Sequence, residues 1–156
     1  MEKIIIIDNE VHRPVGHWTK QIHKLLHYLR EQGFCFAPNP LGFDEHGREI
    51  VSFIEGKTGD YPLSDEIKSI SILMSSAKLL RTYHDVSQNF LNQVTLSQDW
   101  LLPSKNPQEV ICHSDFAPYN IVFDGEQAVG LIDFDTAHPG PRKMGHCLCS
   151  LSLRSI

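Results

Sequence analysis

Residues 111–135, ICHSDFAPYNIVFDGEQAVGLIDFD, decide the fold of this 156-residue chain. Asp124-Gly125 is a tight-turn signal, and the apolar runs at 121–123 and 128–132 on either side of it predict the two strands of a hairpin. A two-stranded hairpin brings its two ends close together in space. The residue just before the first strand and the residue just after the second are therefore expected to lie side by side.

Three oxygen-bearing side chains are expected at the open end of this hairpin. Asn120 precedes the first strand, Asp133 follows the second, and Asp115 lies five residues upstream of Asn120 on a loop closed by Ala117-Pro118. Carboxylate and amide oxygens suit Mg²⁺, which usually takes one or two protein carboxylates together with substrate phosphates. A further carboxylate near the metal could accept a proton from a substrate hydroxyl. Kinase-type phosphoryl transfer uses these two kinds of group, metal ligands and a separate proton-accepting carboxylate.

A structural interpretation competes with the catalytic one. A lone Asp-x-x-x-x-Asn stretch is common, and an Asp-Gly hairpin flanked by acidic residues is ordinarily a solvated turn. The order and spacing of all the pieces favour the catalytic interpretation. His113-x-Asp115-x-x-x-x-Asn120, followed by a hairpin and then Asp133-Phe134, matches the catalytic loop and the metal-binding loop of kinases.

The wording of these loops resembles the aminoglycoside phosphotransferase and choline kinase family of small-molecule kinases. In that family the catalytic loop usually reads His-Gly-Asp-x-x-x-x-Asn and the metal loop Ile-Asp-[Phe/Trp]-[Asp/Glu]; here Ser114 replaces the usual Gly. The resemblance implies that Asp115 is the catalytic base and that Asn120 and Asp133 bind Mg²⁺. It also implies ATP as the phosphoryl donor and Asp135 as a secondary acidic residue near the metal or the substrate.

The first 56 residues predict the element order of a kinase small lobe: strand, strand, helix, strand, turn, strand. The helix is expected to open with Thr19 as its N-cap, because apolar residues then recur at the 3, 4 and 7 spacing of one helical face. These apolar residues are Ile22, Leu25, Leu26 and Leu29. A further strand is expected at 49–54, ending in Glu55-Gly56.

Two stretches of this lobe are candidates for nucleotide contacts by the same resemblance. Val11-His12-Arg13 falls where the family has a strand-borne cation that touches the α- and β-phosphates, so Arg13, or else His12, would replace the usual lysine. A surface position for Arg13 beside a proline turn is the alternative. Glu55-Gly56 resembles the hinge, where backbone groups hold adenine. The helix acid that normally pairs with the cation is not evident, and His23 occupies the best-matched turn.

A long helix is expected from residue 64 or 65 to about residue 87, with a serine or aspartate as its cap. An apolar stripe along it is expected to face the core. The stripe consists of Ile67, Ile70, Leu73, Met74, Ala77, Leu80 and His84.

The expected fold class is α+β, a protein-kinase-like two-lobe fold. A partial small, nucleotide-side lobe at 1–56 would be followed by a partial large lobe at 57–156, which carries the catalytic and metal loops. The fold is expected to be truncated at both ends. No glycine precedes Gly16, so the glycine-rich phosphate hairpin is missing. Agreement with the family fails after Arg142, and Gly145 stands where an aspartate is expected.

Composition narrows the class of protein. Hydrophobic residues make up 41% and charged residues 21% of the chain, as in an ordinary globular protein. The net charge of −5 and a pI near 5.9 do not indicate a nucleic-acid-binding protein. Without a transmembrane-length apolar run or a signal-peptide pattern, a cytoplasmic protein with neither nucleic-acid nor membrane partners is expected. Cys147-x-Cys149 after His146 is either a metal tract or part of a disordered tail.

The sequence therefore predicts a small-molecule kinase that uses ATP and Mg²⁺ to transfer the γ-phosphoryl group to a hydroxyl of an aminoglycoside- or choline-like acceptor. A catalytically inactive, truncated kinase-like binding module is the alternative. A fragment that needs a partner chain for stability is a third interpretation. The acceptor itself cannot be read from these residues.

Overall fold

The computed structural model describes residues 3–93 and 99–144 of the chain. Its N-terminal part is a four-stranded antiparallel sheet with one helix packed against it. The elements are, in chain order, β1 (Ile5–Ile7), β2 (Glu10–Arg13), α1 (Thr19–Glu31), β3 (Pro40–Phe43) and β4 (Glu49–Ser52). The strand order across the sheet is β1-β2-β4-β3, so β2 and β4 form its central pair. The predicted order of strands and helix in this part is confirmed.

Helix α1 buries the face that its apolar period predicted. Its four predicted core residues each expose 4% or less of their surface. The predicted N-cap was wrong by one position, since Trp18 occupies the cap and Thr19 is the first helical residue. The Thr19 hydroxyl is used one turn earlier: it accepts a hydrogen bond from the main-chain N–H of Gly16 at 2.9 Å. That bond fixes the turn that leads from β2 into the helix.

The second part combines a long helix with two small antiparallel sheets. Its elements are β5 (Lys57–Thr58), α2 (Ile70–Gln88), α3 (Phe90–Gln93), β6 (Val110–Cys112), a 3-10 turn (Pro118–Asn120), β7 (Ile121–Asp124), β8 (Gln127–Leu131) and β9 (His138–Gly140). One sheet has the order β5-β7-β8, and the other pairs β6 with β9. Helix α2 packs against β6 and β8. None of the helices in the described ranges is both long and apolar enough to cross a membrane.

The hairpin of β7 and β8 confirms the prediction on which the functional hypothesis depends. Asp124 pairs with Gln127 beside the turn, and Ile121 pairs with Leu131 at the open end. Gly125 takes a left-handed backbone conformation (φ 56°) that suits a tight turn. Ile121 and Leu131 are fully buried, so the hairpin is anchored in the core at the end that carries the candidate site.

Helix α2 differs from its prediction in both its start and its buried face. It begins at Ile70 after a Ser69 N-cap, whose extended backbone (ψ 153°) separates it from the preceding turn. Much of the predicted core stripe faces solvent, with Ile70 71% and Met74 67% exposed. The buried residues within the helix are Ile72, Ser76, Leu79, Leu80, Tyr83, His84 and Ser87. Hydropathy missed this face because two of its members are serines; the Ser87 hydroxyl accepts a hydrogen bond from β6.

Candidate active site

Asp115 and Asn120 are joined directly by hydrogen bonds within the segment 113–120, named here the Asp115 loop. The side-chain nitrogen of Asn120 (Nδ2) donates to the main-chain oxygen of Asp115 at 3.0 Å and to its Oδ2 at 2.9 Å. Both N–H donors of the amide are therefore used inside the loop. The amide oxygen of Asn120 is the atom that remains for another ligand.

Asp133 lies next to Asn120, as the hairpin geometry predicted. The main-chain N–H of Ile132 donates to the main-chain oxygen of Asn120 at 2.9 Å and so joins the two ends of the hairpin. The Asp133 side chain is 46% exposed, and its backbone is left-handed (φ 58°). The structure thus brings together Asp115, Asn120 and Asp133, the three residues on which the sequence argument depends.

His113 holds the Asp115 loop against the segment 133–135, named here the Asp133 segment. Its buried ring donates from Nε2 to the main-chain oxygen of Ile132 at 2.9 Å, and it packs edge-on against Phe134 with ring centroids 4.8 Å apart. Burial lowers the pKa of His113, which keeps the ring neutral, although its hydrogen bond to Ile132 opposes the effect. These contacts give His113 a structural role, in which its ring braces the Asp115 loop.

Ser114 occupies a left-handed backbone conformation with φ 68°. Glycine adopts this conformation freely, whereas an L side chain there costs about 1–2 kcal/mol. A glycine would therefore suit the position, as in the family that the loop resembles. The serine hydroxyl oxygen lies 3.1 Å from Nδ1 of His138 in β9, a contact that a glycine could not make. The loop accommodates the serine through this contact.

Arg13 reaches across the cleft from β2 to the Asp133 segment. Its Nη2 lies 2.7 Å from Asp135 Oδ2 and 3.3 Å from Asp133 Oδ1, and its Nη1 lies 3.4 Å from Glu49 Oε1. Burial alone would lower the pKa of Arg13, but the three carboxylates, Asp135 foremost, raise it above its ordinary value. The alternative of a surface arginine beside a proline turn was wrong, since only 17% of this side chain is exposed.

Glu49 is a site residue that sequence reasoning missed. The cation's acidic partner was sought on helix α1, but it comes from β4, where Glu49 pairs directly with Arg13 across the sheet. Glu49 is buried, and its Oε2 accepts a hydrogen bond from Nε2 of His23 at 2.8 Å. His23, on helix α1, therefore lies next to the acidic partner of Arg13. The β2–β4 register is a long-range pairing, so no local sequence signal identifies Glu49.

A cleft of about 490 Å³ lies between the four-stranded sheet and the β7–β8 hairpin. Most of its wall is apolar, and Arg13, Asn120 and Asp133 also line it. The apolar wall includes Val11, Val51, Ile54, Val122 and Ile132, which come from both parts of the chain. An apolar cleft with a few convergent polar groups is typical of a small-molecule site.

Two further candidates lie elsewhere. Glu55 lines a separate concavity with Lys57, whereas its neighbour Gly56 lines both that concavity and the main cleft. His12, the alternative cation, does not line the cleft; its Nδ1 donates to Asp44 Oδ2 at 2.8 Å. Of the two possible cations, Arg13 is the one that the structure brings to Asp133.

Tyr119 is the second residue that the sequence analysis missed. Its hydroxyl donates to Oδ1 of Asp115 at 2.6 Å. This hydrogen bond to the carboxylate raises the pKa of Tyr119 to about 12, so the phenol stays protonated at neutral pH. Its adjacency to Asn120 was visible in the sequence, but only the 3-10 turn at Pro118–Asn120 shows that the ring folds back over Asp115.

Asn120 and Asp133 carry oxygen atoms that could hold a divalent metal. The free amide oxygen of the first and the half-exposed carboxylate of the second have the oxygen chemistry that Mg²⁺ prefers. Within residues 3–93 and 99–144, no cluster of three or more His, Cys, Asp or Glu side chains could bind a metal. The tract of His146, Cys147 and Cys149 lies outside the described residues.

The chain has a kinase-like fold. The gentamicin complex of APH(2")-IIa matches it with a TM-score of 0.64 and 16% identity, over 87% of this chain and 62% of that one. The streptomycin–ATP ternary complex of APH(2")-IIa matches with a TM-score of 0.59 and 15% identity, over 94% of this chain and 72% of that one. The predicted α+β, kinase-like fold is confirmed.

Sequence comparison places the same resemblance in the second half of the chain. Residues 85–143 match the phosphotransferase enzyme family, and the predicted resemblance to aminoglycoside phosphotransferases is confirmed. The trifolitoxin immunity protein of Rhizobium leguminosarum bv. trifolii is 37% identical over 134 residues, which are 83% of this chain and 49% of that protein. The chain spans about half the length of this curated relative.

Proposed function

We propose that this chain carries the active site of a small-molecule kinase that transfers the γ-phosphoryl group of ATP to a hydroxyl of an aminoglycoside- or choline-like compound. The observation that carries the proposal is the convergence of Asp115, Asn120 and Asp133 beneath a cleft that Arg13 also lines. In this proposal residues 1–56 form the nucleotide-side lobe and residues 57–156 the lobe that carries the catalytic groups.

The nucleotide occupies the 490 Å³ cleft, with adenine between the apolar side chains and the phosphates toward Arg13. Arginine can neutralise phosphate through its planar fork in place of the usual lysine. The connector at Glu55-Gly56 contributes to adenine binding through its backbone, since Gly56 is the member that lines the cleft. Glu49, which accepts a hydrogen bond from His23, holds the Arg13 guanidinium from the sheet side.

Asn120 and Asp133 hold the metal in this proposal. Mg²⁺, when bound, would supply charge neutralisation for the phosphates. The two hydrogen bonds that the Asn120 amide donates to Asp115 orient the amide so that its oxygen is available to the metal. Arg13 contacts Asp133 and Asp135, so a bound nucleotide phosphate would compete with these carboxylates for the guanidinium.

Asp115 orients the acceptor hydroxyl and takes its proton. The hydroxyl oxygen forms a bond to the γ-phosphorus, the bond from that phosphorus to the departing ADP oxygen breaks, and the hydroxyl proton moves to the carboxylate. Asn120 holds Oδ2 of Asp115 in place, and His113 holds the loop against the Asp133 segment. These contacts position the base before any substrate binds, which favours catalysis by orientation.

The test measures phosphoryl transfer from Mg²⁺-ATP to gentamicin, streptomycin and choline. Asp115→Asn is expected to lower transfer at least about a hundredfold, because it removes the proton acceptor while keeping the shape of the side chain. Asp124→Asn makes the same chemical change in the exposed hairpin turn and should leave transfer unchanged. Full activity of the Asp115 variant would overturn the assignment. ATP binding without transfer to any acceptor would favour the inactive binding module.

A second candidate function comes from the 37% identical relative, which is named as a trifolitoxin immunity protein. The shared 134 residues span 83% of this chain, so the chain could act in protection against a toxin through the same site. Expression in a trifolitoxin-sensitive strain tests this candidate. If the chain protects the strain and Asp115→Asn abolishes the protection, protection depends on the proposed catalytic base. If the variant still protects, the chain acts by binding without catalysis. If cells that express the unmodified chain are still killed by trifolitoxin, the immunity function is rejected.

A further inference from the structure

Both carboxylate oxygens of Asp115 accept a hydrogen bond from the chain itself. Asn120 donates to Oδ2, and the Tyr119 hydroxyl donates to Oδ1 at 2.6 Å. The bond from Tyr119 has the short length of a charge-assisted O–H···O⁻ contact. Each oxygen of the proposed base is thus engaged in a hydrogen bond with a neighbouring side chain.

Tyr119 and its neighbour Tyr61 lie close to Asp115 and outside the lining of the nucleotide cleft. Asp115, Tyr119 and Tyr61 are absent from the residues that line the 490 Å³ cleft. Tyr119 is 41% exposed and Tyr61 is 51% exposed, and their rings meet edge-on with centroids 6.3 Å apart. Tyr61 thereby supports the ring of Tyr119 in the pose that reaches Oδ1.

We propose that Tyr119 is a positioning residue that guards Asp115 against water and yields Oδ1 only to a bound acceptor hydroxyl. The inference rests on the proposed function, since it assigns selectivity to the same base. An acceptor is held by contacts remote from its hydroxyl and therefore competes for Oδ1 at a high effective concentration, whereas water lacks such contacts. When no acceptor is bound, the hydrogen bond from Tyr119 lowers the rate of unproductive ATP hydrolysis.

The side reaction that the guard opposes is simple. A water oxygen forms a bond to the γ-phosphorus, the bond to the ADP oxygen breaks, and the water proton moves to Asp115. Inorganic phosphate and ADP are the products. The Tyr119 hydroxyl occupies Oδ1, one of the two carboxylate oxygens that could take that proton. Removal of the hydroxyl alone should therefore accelerate this reaction.

The experiment measures phosphate release from Mg²⁺-ATP by the full chain in the absence of any acceptor. Tyr119→Phe keeps the ring and removes the hydroxyl, and a rise of about tenfold is expected if the lost hydrogen bond to a charged group is worth its usual energy. The KM for ATP should not change. Tyr61→Leu removes the ring that contacts Tyr119 but leaves the Tyr119 hydroxyl in place. A smaller rise in phosphate release is therefore expected.

Tyr28→Phe is the matched control, because it also removes a single phenolic hydrogen bond, to the main-chain oxygen of Val86. It should leave phosphate release unchanged. Hydrolysis that stays level or falls in Tyr119→Phe, while Asp115→Asn still lowers it in the unmodified background, would overturn the guard and leave the proposed function standing. Absence of ATP binding and of Asp115-dependent hydrolysis in the unmodified chain would overturn both.

Discussion

At the scale of single residues, the candidate site is built from groups whose ordinary chemistry is altered by burial and by backbone geometry. Ser114 and Asp133 both adopt left-handed conformations that side chains rarely take, with φ values of 68° and 58°. Such residues cluster at functional sites, where the surrounding structure holds them in place. Here the hydrogen bond of the buried His113 to Ile132 supplies that support.

His113 leads to a prediction about the dependence of stability on pH. Because burial lowers its pKa in the folded chain, the unfolded chain binds the proton first as the pH falls below about 6.5. Its contribution to stability is therefore complete above that pH and is lost as the pH falls toward the folded-state pKa. The free energy of unfolding, measured in urea at several pH values, should decline over this window, by at most about 1.4 kcal/mol per pH unit.

The variant His113→Gln should be less stable at neutral pH and show a flatter decline below it. His27→Gln changes an exposed histidine of helix α1 and should leave the slope as it is. An undiminished slope in the His113 variant would contradict the buried, neutral state of this ring.

At the scale of elements, helix α2 shows how packing overrides hydropathy. Its exposed positions include large apolar residues, while serines lie on the face that contacts β6 and β8. Ser75 and Ser87 hydroxyls accept hydrogen bonds from the main-chain N–H groups of Ala128 and Ile111. Small polar side chains thus let the helix approach the strands that carry the Asp115 loop and the Asp133 segment.

A pair of alanine substitutions tests which face of α2 is buried. Leu79 is 5% exposed, so Leu79→Ala should cost about 3 kcal/mol of unfolding free energy. Met74 is 67% exposed, so Met74→Ala should change it by less than about 0.5 kcal/mol. Chemical denaturation of both variants gives the comparison. A larger loss for Met74→Ala would mean that the originally predicted stripe is the buried one.

The sequence predicted those parts of the site that depend on local spacing. Asn120 and Asp133 flank one hairpin, and Asp115 lies within hydrogen-bonding reach on the same loop, so their convergence follows from a few consecutive residues. Glu49 could not be found in this way, because its contact with Arg13 depends on a strand pairing 36 residues apart. Tyr119 was missed since only the turn geometry decides where its hydroxyl lies.

At the scale of the whole molecule, Arg13 is the charge that joins the two parts. One guanidinium, from the N-terminal sheet, contacts three carboxylates, of which Asp133 and Asp135 belong to the other part. Glu49 is nearly fully buried, and its carboxylate contacts both Arg13 and His23. A single side chain therefore connects the N-terminal sheet to the Asp133 segment across the cleft.

Removal of this arginine should make the stability of the chain sensitive to Mg²⁺. Arg13→Ala leaves the carboxylates without their partner and should cost about 3 kcal/mol. Mg²⁺ should restore part of the loss, because a divalent cation can take the place of the guanidinium at Asp133 and Asp135. Melting curves with and without Mg²⁺ measure the effect.

Arg81→Ala is the control, since Arg81 pairs with Asp85 on the surface of α2 and should contribute less than about 0.5 kcal/mol. It should show no added response to Mg²⁺. Equal responses of the two variants would contradict a cation site at the Asp133 segment.

The most direct test of the central claim is a thermal melt of the chain with and without Mg²⁺-ATP, set against the same melt of Asp133→Asn. Ligand at a hundred times its dissociation constant stabilises the folded state by about 2.7 kcal/mol. For a chain of this size, that is a rise in melting temperature of about 5–10 °C. The unmodified chain should show this rise and Asp133→Asn should lose most of it. No rise in the unmodified chain, or an equal rise in both, would contradict a Mg²⁺-ATP site built on Asp133.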